Sequence, residues 1–323
     1  MQIGQMYHGF LLERVETVAD IESKAYLFSH PKSGAKLMYL ENNDVEKAFS
    51  IAFKTLPEDS TGVFHILEHS VLCGSDKYPV KEPFVNLLKT SMQTFLNAMT
   101  FPDKTMYPFS STNEKDFLNL MSVYMDAVLC PRIYSKKDIF LQEGWHLETD
   151  AEGKPCFNGV VYNEMKGAYS SIDRQLFKAL GEAMYPDTTY GFSSGGDPAA
   201  IPSLTYEQFL AFHKKYYHPE NSFLFLYGEM DLCEKLAFLD SEYLSKYDVQ
   251  GNEFEIEMQK PLGFKRVDDT CMIDEAESET DNATVGLSYL CGTFQDREDN
   301  LALSLILDTI ADSNDAPLKK KIL

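Results

Sequence analysis

Within residues 61–75, TGVFHILEHSVLCGS, two histidines stand four positions apart with a glutamate just before the second: His65, Glu68 and His69. On a helix, positions i, i+3 and i+4 share one face, so this spacing brings two imidazoles and a carboxylate together. Imidazole nitrogens are good zinc ligands, and H-x-x-E-H in this order is the inverted zinc-peptidase signature. A zinc hydrolase normally takes three protein ligands and leaves a fourth position for water, so the pattern demands a third ligand elsewhere.

The surrounding sequence supports a helix here. Val63, Ile66, Leu67 and Val71 form an apolar stripe beside the polar one, and Gly74 stands where a helix favours a left-handed residue. Upstream, Phe49, Ile51 and Phe53 alternate as in a half-buried strand, and residues 25–29 and 35–40 flank a turn at 30–34 as in a hairpin. Downstream come a helix near 84–91, then two short strands, 94–100 and 104–109, turning at Pro102-Asp103. Ser111 and Glu114 predict a capping box that opens a helix with Phe117, Leu120, Met121, Tyr124, Met125 and Val128 on one face. A short helix is expected at 137–143, a strand at 146–149, and a strand giving way to a helix in FNGVVYNEMKG. A polar helix over about 174–184 leads to a Gly/Ser/Pro loop at 190–204. Thr205 and Gln208 form a second capping box, and SFLFLY (222–227) reads as a central strand covered on both faces. His8 and His30 read as ordinary surface or turn residues, His213 as a core residue, and His218 as a cation at a helix C-terminus. The fold class expected is α/β with a mixed, mostly antiparallel sheet and helices packed on it.

Three segments follow from pattern: a domain at 1–248, an acidic linker at 249–282, and the start of a second, similar domain at 283–323. The last rests on a repeat. Residues 65–81 and 303–319 align without gaps, with Ser75 over Ser313, Pro79 over Pro317 and Lys81 over Lys319. A strand at 285–291 would precede the second copy as one precedes the first. In that copy Leu303, Ile306 and Leu307 replace His65, Glu68 and His69, so it is expected to be non-catalytic.

Composition excludes several classes. Of 323 residues, 50 are acidic and 29 basic, a net charge of −21 that disfavours nucleic acid and anionic membranes and favours cationic ligands. Six scattered cysteines without a C-x-x-C read as free thiols of a reducing compartment. With no visible leader and no apolar run of about 18 residues, a cytoplasmic location is expected. Cys73, four residues beyond His69, reads as a buried inert thiol rather than a redox switch.

For the third ligand, residue type and context rank Glu164, in VVYNEMKG, first and Glu143 second among many acidic residues; His146 lacks a marked context. GVFHILEHSVLCGS (62–75), TFLNAMTFPDKTMYPF (94–109), QEGWHLE (142–148), GVVYNEMKGAYSS (159–171) and residues 190–228 resemble the presequence-protease branch of the inverzincin metallopeptidases. That is the wider group of pitrilysin and insulin-degrading enzyme. The resemblance implies one zinc held by His65, His69 and Glu164, Glu68 as general base, Asn97 holding an extended peptide at a sheet edge, and Glu143 behind the site. It implies a metalloendopeptidase acting on short unfolded peptides, cationic ones included. It also implies a longer enzyme whose C-terminal half closes a chamber and supplies an Arg and a Tyr to the reaction. The alternative is a non-catalytic peptide-binding or structural subunit of the same superfamily, which the intact 65–69 set disfavours.

Overall fold

In the strand holding Phe49, Ile51 and Phe53, these side chains turn to one face and are at most 1% exposed. That alternation is repeated across the sheet. The computed structural model describes residues 1–81, 83–271, 273, 280 and 283–322, the last for its backbone only, and they fall into two units, Met1–Asp274 and Glu275–Leu323.

The first unit carries strands β1 (Met6–Tyr7), β2 (Phe10–Val18), β3 (Ser23–Ser29), β4 (Lys36–Glu41), β5 (Lys47–Lys54), β6 (Gln93–Leu96), β7 (Met99–Thr100), β8 (Lys104–Ser111), β9 (His146–Thr149), β10 (Pro155–Asn158) and β11 (Ser222–Tyr227). Its helices are α1 (Val63–Val71), α2 (Pro83–Thr90), α3 (Glu114–Leu129), α4 (Lys137–Glu143), α5 (Val160–Ala168), α6 (Ile172–Met184), α7 (Tyr206–Tyr216) and α8 (Leu232–Glu242). The main sheet runs β1-β2-β3-β4-β11-β5-β8-β6, with β7 also on β8; β9 and β10 make a separate hairpin. All pairings are antiparallel except β4 with β11, which lies between β4 and β5 although it follows them by some 170 residues. This is the mixed, mostly antiparallel α/β architecture expected. The core lies between one sheet face and the helices: α1 packs on β7, β8, α4 and α7, and α3 on β5 and β8. No helix among the described residues is long and apolar enough to cross a membrane.

Several local expectations are corrected. β11 has only one face fully covered: Leu224 and Leu226 are buried, but Phe223 is 44% exposed. The stretch 94–100 is broken at Asn97 into β6 and β7. Asn113, not Ser111, caps α3: its side chain accepts from the Asp116 N–H, while Ser111 ends β8 with its hydroxyl on Asp116. The Thr205–Gln208 capping box forms as expected. His30 opens the 30–34 turn, its carbonyl accepting from the Ser33 and Gly34 N–H groups, but it is buried rather than on the surface, bonded to Ser33 Oγ at 2.8 Å and Asp240 Oδ1 at 3.0 Å. His218 is buried too, and that burial lowers its pKa, so it serves as a neutral cap accepting from Glu220 N–H rather than as a cation.

In the second unit, helix α9 (Arg297–Leu307) continues as a π turn at Asp308–Asp312, and α10 spans Lys319–Ile322. The strand expected at 285–291 does not form; those residues are unpaired coil, with Val285, Leu287 and Tyr289 at least 77% exposed. A strand needs neighbours for its backbone groups, and the described residues offer it none. Residues 249–271 are irregular; the rest of the 249–282 stretch lies largely outside the described residues.

Candidate metal centre

Helix α1 starts from Gly62, whose φ of +67° is left-handed, a conformation that costs a side chain about 1–2 kcal/mol. Val63, Phe64, Ile66, Leu67 and Val71 are all buried, which fixes the helix's rotation about its axis. The opposite stripe then carries His65, Glu68 and His69. The imidazole rings lie 5.0 Å apart, and Glu68 is 8% exposed.

Glu164 reaches these histidines from α5. It lies in the body of that helix rather than at a strand-to-helix junction, with its neighbours Val161 and Met165 anchored in the core. Its Oε2 is 3.7 Å from His65 Nε2 and 3.7 Å from His69 Nε2. Donor atoms of the three residues lie within 4.8 Å of one another, and the Glu164 side chain is 54% exposed, which leaves an approach from solvent. Ligands about 2.1 Å from a tetrahedral zinc stand roughly 3.4 Å apart, so the two 3.7 Å separations from Glu164 fit with a small contraction.

Both imidazoles are also held in a usable tautomer. His65 Nδ1 is 2.9 Å from the Gly195 carbonyl oxygen, which can only accept, so Nδ1 carries the hydrogen and Nε2 presents a lone pair. His69 Nδ1 faces Glu143 Oε2 at 3.4 Å, with the same result. Burial pulls the His69 pKa down, but the Glu143 hydrogen bond and the charges of Glu68, Glu143 and Glu164 outweigh it, and the net shift is upward. Burial raises Glu143 in turn, and it is outweighed by bonds from His69, from Gln142 at 2.8 Å and from Cys73, leaving the carboxyl below its ordinary range. Cys73 thus contributes a weak Sγ donor 3.5 Å from Glu143 Oε1.

Asn97 is exposed at the break between β6 and β7, on the sheet edge. Its N–H donates to Pro108 O, its carbonyl accepts from Tyr124 OH, and its side-chain Oδ1 accepts from the Ala98 N–H at 2.9 Å. His146 stays outside the cluster, its Nδ1 on Leu141 O at 2.7 Å.

Two contacts escaped sequence reasoning. One is the Gly195 carbonyl on His65, signalled only by a glycine pair in a loop. The other is Thr100, whose hydroxyl donates to Glu68 Oε2 at 2.8 Å.

Comparison with known proteins extends these observations. Residues 56–138 match the family described as Insulinase (Peptidase family M16), and residues 203–323 match the Peptidase M16 inactive domain. Protein HypA of Clostridium perfringens is 50% identical over 322 residues, 99% of this chain and 33% of that protein. Presequence protease 1, chloroplastic/mitochondrial, of Arabidopsis thaliana is 50% identical over 255 residues, 78% of this chain and 24% of that one. The mitochondrial presequence protease of Drosophila melanogaster is 43% identical over 308 residues, 94% and 28% respectively. The chain thus spans a third or less of the length of these relatives. Among solved structures, pitrilysin superposes with a TM-score of 0.61 at 17% identity, covering 80% of this chain and 26% of that one, a likeness of fold. The cytoplasmic location expected above is overturned, because the presequence proteases matched are named for mitochondria and chloroplasts. A targeting leader is a removable extension that leaves no trace in the folded domain, so composition was a poor guide. The chain belongs to the M16 peptidases, in the presequence-protease branch of the pitrilysin family.

Proposed function

We propose that this chain carries the zinc site of a metalloendopeptidase that cleaves short, unfolded peptides, presequence-like ones among them. The observation that carries the reading is the convergence of His65 Nε2, His69 Nε2 and Glu164 Oε2, with Glu68 on the same helix face. His65, His69 and Glu164 would hold the zinc, which when bound would supply a Lewis acid for a peptide carbonyl and for water. Glu68 would take a proton from the attacking water and return it to the leaving amine, which balances the hydrolysis without a further co-reactant. A substrate lies as an added strand along the free edge of β6, its backbone beside the Asn97 amide. Selection is then for extended backbone, and the net charge of −21 favours cationic peptides.

The presequence-protease relatives run well beyond the length of this chain. We read residues 283–323 as the opening of a second, non-catalytic domain; the inactive-domain match spans them but begins at residue 203. A C-terminal half completes the chamber and supplies transition-state groups, each commonly worth about 10²–10³ in rate. Zinc binding belongs to this chain; full turnover belongs to the longer protein. The test is hydrolysis of a quenched-fluorescence peptide by the full-length protein, with and without a chelator, beside the Glu68→Gln variant. Chelator and variant should both abolish cleavage while the variant keeps its zinc; cleavage by a zinc-free protein, or wild-type activity in Glu68→Gln, would contradict the reading.

A further inference from the structure

The Glu68 carboxylate is held by a group from another element. Thr100 Oγ1, on β7, donates to Glu68 Oε2 at 2.8 Å, and α1 packs against β7. Glu68 itself is nearly buried, with 8% of its surface exposed, so few orientations are open to it. A carboxylate has four lone-pair sites, and one bond to Oε2 leaves Oε1 available while fixing the plane of the group. Thr100 lies three residues past Asn97 on the interrupted edge strand, beside which an added peptide strand would lie.

We propose that Thr100 is a positioning residue: its hydroxyl fixes the Glu68 carboxylate so that its free oxygen faces the proton to be taken. This rests on the proposed role of Glu68 as general base. It makes β7 serve two ends, since the edge beside which a peptide lies also holds the base. A hydrogen bond to a charged group is strong enough to set such an orientation, and near-attack geometry is sensitive to displacements on the order of 1 Å.

The experiment uses the full-length protein with Thr100→Val, which keeps shape and removes the donor, and Thr100→Ser, which keeps the donor. Thr100→Ala serves in its place should the valine variant not fold. With a quenched-fluorescence peptide as probe, Thr100→Val should lose about 10- to 100-fold in kcat with KM and zinc content unchanged. Thr100→Ser should recover most of that loss. A crystal structure of metal-free Thr100→Val should show the Glu68 carboxylate turned from its wild-type orientation. Wild-type kcat in Thr100→Val, or a loss that lies in KM or in zinc content, overturns the proposal. Glu68→Gln measured beside it separates the two readings. Inactive Glu68→Gln with normal Thr100→Val removes the positioning role alone, whereas active Glu68→Gln removes both.

Discussion

Gly62→Ala should weaken zinc binding without touching a ligand. A Cβ built on Gly62 would lie 2.6 Å from Gly196 Cα and 2.7 Å from the Gly195 carbonyl oxygen. Real Cβ atoms do not come so close to backbone, so the 195–196 loop must move. That loop is tied to the same corner by Asp197 N–H on Ser60 O at 2.8 Å and Ser193 N–H on Ser60 Oγ at 3.1 Å, so it yields as a unit. The Gly195 carbonyl then leaves His65 Nδ1, and the imidazole loses its fixed orientation. Loss of such an outer partner typically costs about 10- to 100-fold in metal affinity. The variant also bears the left-handed strain at φ +67°, about 1–2 kcal/mol of stability. Gly153→Ala supplies the control, because Gly153 has φ +82° with nothing within 4 Å of its would-be Cβ. Both variants carry backbone strain, but only Gly62→Ala displaces the carbonyl. Zinc affinity measured by competition with a chelator of known affinity should drop in Gly62→Ala and hold in Gly153→Ala. A folded Gly62→Ala protein with wild-type zinc affinity would refute the argument, as would an equal loss in both.

Two further outcomes depend on pH. The His69 pKa is raised above its ordinary 6.5, and ligation needs its Nε2 lone pair, so zinc must displace a proton from a fraction of the protein that grows as pH falls through the raised value. Calorimetry of zinc binding in buffers of different ionisation enthalpy should show proton release at pH 7, reduced in Glu143→Gln, where the hydrogen-bonded charge is gone. The second concerns His213, 3% exposed between Val128 O and Tyr134 OH, where burial holds its pKa at about 4 against 6.5. Above 6.5 it is neutral folded and unfolded. As pH falls from 6.5 to about 4 only the unfolded chain takes the proton, so stability declines by about 1.4 kcal/mol per unit, roughly 3 kcal/mol in all. Denaturant melts of wild type and His213→Gln over this range should show a shallower decline in the variant.

The site was legible where chemistry is local. The spacing of His65, Glu68 and His69 works through one helix, and the apolar stripe beside it fixes which way the helix turns. Residue type and context ranked Glu164 first, but its contact with both imidazoles depends on how α5 is carried to α1, which spacing over 94 residues does not encode. Thr100 and the Gly195 carbonyl were illegible for the same reason: a hydroxyl and a backbone oxygen carry no signature apart from the partner they meet. At Ser111 a capping-box pattern lost to the demands of a strand, and at 285–291 an apolar alternation found no strand to pair with. The burial of His30 and of His218 was illegible because it comes from segments distant in sequence, Asp240 and Tyr247 among them.

The central claim is that His65, His69 and Glu164 hold zinc while Glu68 does not. Anomalous diffraction at the zinc edge from crystals of the zinc-loaded protein tests it most directly. One full-occupancy peak within about 2.0–2.2 Å of both Nε2 atoms and a Glu164 oxygen, with Glu68 unligated and the peak unchanged in Glu68→Gln, is the result predicted. A peak bound to Glu68, a peak away from these three residues, or none at all would contradict it.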